Sequence, residues 1–293
     1  MPPDARAQAN HDRPFPGSIS KAAFTDPELI GIVVLVVGAT GSIGRHVVEV
    51  ALEKGYSVRA LVRSKAKAER MPKQVRVILG DVTVPETLSA AVEGVDAVVF
   101  TLGSDGQGKA GAEMIDYGGV RNVLMALGGR QARIALMTSI GVTDRSSSYN
   151  RSTESHDWKR RAERLVRASG MPHTIVRPGW FDYNGPSEHK LVFLQGDERH
   201  TGTPKDGVIA RRQIAEVLVA SLSSPGATGK TFELIAVAGP AQQDMEPLFA
   251  ALDADKDGSL DAARDIDNQP FEDEPERVRD DVKTVLALGA AGH

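Results

Sequence analysis

From residue 32 onward, short and nearly unbroken apolar runs alternate with longer stretches in which apolar positions recur every three or four residues. The runs at 32–37, 57–62, 75–79, 97–101, 134–138 and 174–177 are rich in valine, isoleucine and leucine and read as strands. Between them, residues near 43–54, 85–93, 111–128 and 155–169 carry the helical period. Continuous apolar runs mark strands buried on both faces. Strands that alternate with helices imply right-handed crossovers. The pattern therefore predicts an α/β fold: a parallel sheet, doubly wound, with helices on both faces.

Past Pro178 the regularity weakens. Residues 179–207 are rich in glycine, proline and histidine, the composition of a substrate-lining segment. A helical pattern returns at 211–223 and a late strand at 231–237. Residues 240–293 are acidic and are expected to form a helical, loosely packed extension. Such an extension caps a substrate cleft, sits on a second subunit, or lies solvated on the surface. Residues 1–28 are polar and proline-rich without any period, which predicts a mobile arm. The expected organisation is thus an arm at 1–28, a nucleotide-binding unit at 29–239 and an acidic C-terminal extension at 240–293.

The first strand ends in a turn with three glycines, IVVLVVGATGSIG at 32–44, and a helical pattern follows at once. Strand, glycine turn and helix form the dinucleotide fingerprint of Rossmann-type folds. Gly38 permits the tight turn, Gly41 lets the backbone approach a pyrophosphate, and Gly44 lets the helix pack close to the strand. Thr40, Ser42 and Ile43 complete the turn, and the helix N-terminus offers N–H groups to the phosphates. At the end of the second strand, an acidic residue would bind the ribose 2′-hydroxyl of NAD; a basic one accommodates the 2′-phosphate of NADP. That strand ends in Arg63, followed by Ser64 and Lys65, with no acid before Glu69. NADP(H) is therefore favoured over NAD(H). Asp81 and Val82, after the third strand, suit the adenine amine and ring. Thr101, Leu102 and Gly103, after the fourth, let the backbone run beneath the cofactor.

A formal net charge of −4 gives no bulk attraction to nucleic acid. The absence of cysteine excludes disulfides, thiolate metal sites and cysteine nucleophiles. The N-terminal residues lack the apolar core of a signal peptide, and no run approaches the roughly 20 apolar residues of a membrane span, so a cytoplasmic protein without membrane partners is expected. His173, His189 and His200 lack metal-ligand spacing. Residues 253–261 resemble the start of a calcium loop, but Arg264 stands at the twelfth position, where the ion needs a carboxylate. This favours a solvated acidic loop, and no metal site is expected.

GATGSIG at 38–44, RALVRS at 59–64, GDVTVP at 80–85, DYGGVRNVL at 116–124, MTSIGV at 137–142, WKRRAERLVRASGMPHTIVRPGWF at 158–181 and RRQIAEVL at 211–218 occur in this order. Together they resemble the short-chain dehydrogenase/reductase superfamily, in its atypical NAD(P)-binding branch of NmrA-like and biliverdin/flavin-reductase-like proteins. The resemblance spans roughly 31–238. It implies that Ser139 is the catalytic serine and that Lys159 holds the nicotinamide ribose. Thr138 would lie at the cofactor, and Pro178, Gly179 and Trp180 would border the nicotinamide. The family's tyrosine would stand four residues before the lysine; here that position is Ser155. Tyr149 lies ten residues before Lys159, the wrong spacing for one helical face. His156, three residues before Lys159, is the alternative proton donor, because histidine titrates near neutral pH. The implied function is an NADPH-dependent oxidoreductase. It would pass hydride to a small aromatic, quinone-like or ketone substrate, as in a reductase step of aromatic polyketide metabolism. A non-catalytic NADP(H) sensor of NmrA-like type and an NAD(P)-dependent epimerase are the alternatives. Superfamily members are often homo-oligomers, which leaves a homo-oligomer open here.

Overall fold

The valine-rich runs form strands in a computed structural model that describes residues 31–104 and 106–291. The expected arm at 1–28 lies outside the described residues. The strands are β1 (Val33–Val37), β2 (Ser57–Val62), β3 (Arg76–Leu79), β4 (Ala97–Phe100), β5 (Arg133–Met137), β6 (His173–Pro178), β7 (Trp180–Phe181), β8 (Lys190–Leu194), β9 (Val208–Ile209) and β10 (Lys230–Val237). The α-helices are α1 (Gly44–Lys54), α2 (Lys65–Ala68), α3 (Ser89–Val92), α4 (Gly108–Gly111), α5 (Gly118–Leu127), α6 (Ser148–Thr153), α7 (Ser155–Ala168), α8 (Arg211–Ser223), α9 (Glu246–Ala250) and α10 (Glu276–Ala291).

The sheet runs β3-β2-β1-β4-β5-β6-β10-β9-β7, with β8 also paired to β10. β1 pairs in parallel with both β2 and β4, Val36 lying opposite Ala60 and Val99. The chain therefore winds outward from β1 in both directions. That reversal leaves a crevice at the carboxyl ends of β1 and β4, where doubly wound folds bind ligands. Alternate residues of each strand point to opposite faces. Val34 and Val36 pack on Val47, Val48 and Ala51 of α1 and on Ile214 and Leu218 of α8. Leu35 and Val37 face Val120 and Leu124 of α5, Leu165 and Val166 of α7, and Val278, Val282 and Val285 of α10. Helices thus cover both faces, as the pattern predicted. The irregular segment at 179–207 contributes β7 and β8, and β8 runs antiparallel to β10 with Phe193 opposite Leu234.

The acidic extension departs from the expectation. It is pinned to the sheet face by ion pairs although more than half of its residues stay exposed, and at 240–291 only α9 and α10 are α-helical. Its carboxylates meet the arginines of α7. Arg160 and Arg164, each 1% exposed at the side chain, both reach Asp261, and Arg164 also reaches Glu274 at 2.9 Å. Arg161 donates to Glu274 at 2.6 Å and Arg167 to Asp255 at 2.9 Å. Arg177, on β6, forms paired bonds to Asp265 at 2.7 Å and to Glu163 at 2.7 and 3.0 Å. A buried guanidinium is strongly destabilising unless it is paired, so these arginines fix the extension to the sheet face. The basic stretch WKRRAER is consequently interior. The expected solvated loop holds in part: Asp255 is buried against Arg167 and Thr231 and Asp261 turns to Arg164, while Asp253, paired with Arg264, and Asp257 stay exposed. Among the described residues, no cluster of His, Cys, Asp or Glu is arranged to hold a metal ion. No described helix is long and apolar enough to cross a membrane.

Candidate functional site

The glycine turn sits at the mouth of the crevice. Gly38 has φ +90°, and a Cβ there would lie 2.8 Å from both the carbonyl oxygen and Oγ1 of Thr101. Only glycine therefore lets β1 end this close to β4. The amide of Gly41 donates to the Gly38 carbonyl at 2.9 Å and closes the turn. A Cβ on Gly44 would overlap the Gly38 carbonyl, so glycine is what brings α1 against the strand. Thr40 and Gly41 are exposed, Ser42 is half-buried, and Ile43 is anchored in the core. Helix α1 begins with no side-chain cap and no acid in its first turn. The Arg45 and His46 amides are taken by the Gly41 and Ile43 carbonyls at 3.2 and 2.9 Å, which leaves the Gly44 amide and the positive dipole end to an anion.

At the adenosine end, Arg63 is exposed beyond β2 and its guanidinium has no partner among the described residues. Ser64 caps α2, accepting from the Lys67 amide at 3.4 Å. Asp81 uses Oδ1 to take the amide and hydroxyl of Thr83 at 2.9 and 2.8 Å, so only Oδ2 is left for an adenine amine. Val82 is buried, and the Asn122 amide donates to its carbonyl at 2.8 Å. A Cβ on Gly119 would come within 2.7 Å of Leu102 Cδ1 and 3.1 Å of Val82 Cγ2. Val82, Leu102 and Gly119 therefore form one contiguous floor.

Beyond β4, the Thr101 hydroxyl donates to the Val37 carbonyl at 3.2 Å, and Gly103 is exposed. Lys159, on α7, is 14% exposed and pairs with Asp116 at 2.9 Å. Asp116 also accepts from the Ser104 amide at 3.1 Å and the Ser104 hydroxyl at 2.7 Å. Lys159 is thereby held against the loop that follows Gly103. Asp116 and Ser104 are residues that the sequence reading missed. The signal was an isolated acid in the DYGGVRNVL motif, whose partner lies 43 positions away (159 − 116).

Ser139 follows β5, and its hydroxyl is buried with no partner among the described residues. The next amide, Ile140, donates to the Pro178 carbonyl at 3.0 Å, which joins the ends of β5 and β6. The implied Thr138 contact needs correction at the side chain: its hydroxyl donates to Glu163 at 2.7 Å inside the Arg177 network. His156 lies over the same loop, its Cε1 3.7 Å from where a Gly141 Cβ would sit, and its Nδ1 3.3 Å from the Asp144 carbonyl. Burial holds its imidazole below the ordinary value, which favours the neutral form. Tyr149 belongs to the separate helix α6, and Glu154, at φ +54°, breaks the chain before α7. The ring of Tyr149 thereby packs 5.3 Å from that of His156. Gly179 is buried against the Gly207 carbonyl. Trp180, 37% exposed in β7, sets its ring edge-on to Tyr183 at 6.2 Å. It stands apart from the glycine turn, on the opposite edge of the sheet.

The glycine cradle, the uncapped helix and the unpartnered Ser139 hydroxyl fit a nicotinamide dinucleotide. Comparison with known proteins agrees. An NAD(P)H-binding family model matches residues 38–225. The chain is 32% identical to the NAD(P)H azoreductase of Xenophilus azovorans, over 75% of this chain and 73% of that one. It is 27% identical to the sanguinarine reductase of Eschscholzia californica, over 75% and 95% of the two chains. A Bacillus halodurans structure provisionally assigned as an NAD-dependent epimerase/dehydratase superposes with TM-score 0.63 at 25% identity, covering 76% of this chain and all of that one. The chain belongs to the NAD(P)H-binding family. With curated relatives of reductase type, it falls among that family's oxidoreductases, and its cofactor is a nicotinamide dinucleotide.

Proposed function

We propose that this protein is an NADPH-dependent reductase that passes hydride to a small aromatic, quinone-like or ketone acceptor. The observation that carries this reading is the buried Ser139 hydroxyl, which has no partner among the described residues and lies beside the Pro178–Gly179 turn. A buried hydroxyl left without a bond is destabilising, so a ligand atom is its natural partner.

A bound nicotinamide would supply the hydride. The chain's own groups supply position and charge. Gly38, Gly41 and Gly44 set the backbone against the pyrophosphate, and the start of α1 faces the phosphates. Asp116 fixes the Lys159 ammonium, which then grips the nicotinamide ribose hydroxyls. Ser139 donates a hydrogen bond to the acceptor oxygen as negative charge develops there. His156 lies next to the same loop, but burial favours its neutral imidazole, which has no acidic proton to give, so the proton that completes the reduction is drawn from water. Arg63, exposed and without an internal partner, suits the 2′-phosphate of NADPH, since a guanidinium grips phosphate through paired bonds. The relatives named as an azoreductase and a sanguinarine reductase support the reductase reading. The reading is tested by NADPH oxidation against quinone, azo and ketone acceptors, with NADH in parallel.

A further inference from the structure

A cavity of about 150 Å³ lies beside the candidate site, lined by Ile140, Leu194, Gln195, Glu198, Arg199 and Glu233. Ile140 is the residue after Ser139, and its amide is held by Pro178. The cavity therefore adjoins the segment that carries the unpartnered hydroxyl. Glu233 comes from β10 and is only 3% exposed at its side chain. No role in cofactor binding draws on it.

Glu233 shares one arginine with several other acids. Arg177 reaches Glu163 and Asp265 at 2.7 Å, but Glu233 Oε1 only at 3.4 Å. Asp197, in the segment after β8, takes the amides of Gly141 and Thr143 at 2.6 and 2.7 Å and the Thr143 hydroxyl at 2.9 Å. His200 lies 3.8 Å from it. These donors keep Asp197 ionised, with its carboxyl lowered to about 2 despite burial. Burial acts to raise the Asp265 carboxyl, but the charge of Arg177 and its short bonds hold it below the ordinary value. Glu233 has only the long Arg177 contact and the Asp197 amide, at 3.1 Å. Burial, with the charges of Asp197 and Asp265 adding to it and Arg177 opposing, pushes Glu233 up to about 8. Near neutral pH it is therefore mostly a carboxylic acid, able to donate, facing a cavity whose other charged groups, Glu198 and Arg199, are exposed.

We propose that this cavity receives the far end of the acceptor and that the Glu233 carboxyl group donates a hydrogen bond to a second oxygen there, while Ser139 holds the reacting one. The inference rests on the reductase reading. It makes Glu233 a specificity-determining residue that favours acceptors with two oxygens, such as quinones, over those with one.

The test compares wild type, Glu233→Ala and Glu233→Gln with 1,4-naphthoquinone and with 1-tetralone, which has a single carbonyl, across pH 6 to 9. Dissociation constants for NADPH are measured alongside. For wild type, KM for the quinone is expected to rise as pH passes about 8, because deprotonated Glu233 has no hydrogen to donate. Glu233→Gln, whose amide still donates, is expected to keep a low KM that no longer depends on pH in this range. Glu233→Ala is expected to raise KM for the quinone about three- to tenfold near neutral pH, the worth of one neutral hydrogen bond, with less change for tetralone and none in NADPH affinity. An unchanged quinone KM in Glu233→Ala, or a Glu233→Gln profile that still follows wild type, would overturn the assignment while the reductase reading stands. Failure of wild type to oxidise NADPH with either acceptor would remove both.

Discussion

Arg63→Glu is the sharpest probe of cofactor choice. Arg63 is exposed beyond β2 and its guanidinium meets no described residue. The substitution breaks no internal contact, so folding stability is expected to stay within about 0.5 kcal/mol. Its effect then falls on the ligand. A charge-assisted bond to phosphate contributes about 1.5–3 kcal/mol. At about 1.4 kcal/mol per factor of ten, NADPH affinity is expected to fall about 10- to 150-fold. Repulsion between the new carboxylate and the 2′-phosphate adds to this loss. NADH lacks that phosphate, and a carboxylate at this point can accept from its ribose 2′-hydroxyl, so its affinity is expected to hold or improve. Both dissociation constants are measured by fluorescence titration at low and at physiological salt, because an exposed charge is screened. Equal losses for NADPH and NADH would refute the phosphate role of Arg63.

Two further substitutions probe the site and its support. Lys159→Ala is expected to weaken cofactor binding about tenfold or more and to depress turnover, as a charged hydrogen-bond donor to the ribose is lost; an unaltered variant would remove Lys159 from the site. Glu274→Ala leaves the buried guanidinium of Arg161 without its carboxylate and that of Arg164 with only Asp261 and a carbonyl. It is expected to lower stability to denaturant by about 3–5 kcal/mol; a change within 0.5 kcal/mol on the same scale would mean that the extension is not held by these pairs.

Local patterns announced much of this molecule. Continuous valine runs, the glycine spacing at 38–44 and the helical period after each strand reflect short-range physics and located the main strands and helices, whereas α2, α6, β7, β8 and β9 formed where no element was expected. Long-range pairing did not show in the same way. Nothing local assigned partners to the arginines of α7, because Asp255, Asp261 and Glu274 lie roughly a hundred residues away in the acidic extension. Two charged segments that complement each other in space look, one at a time, like two surfaces. The same limit hid Asp116 behind Lys159 and Glu233 behind Arg177. At Tyr149, counting ten residues to Lys159 presumes one helix, whereas the two lie on separate helices. The left-handed Glu154 splits that helix and folds Tyr149 against His156.

The central claim is most directly tested by mixing the purified protein with NADPH and a panel of quinones, azo compounds and ketones, with NADH in parallel. Acceptor-dependent oxidation that prefers NADPH is the predicted result. Tight binding of NADP(H) with no oxidation by any acceptor would contradict the account and point to a protein that senses the dinucleotide or returns its hydride.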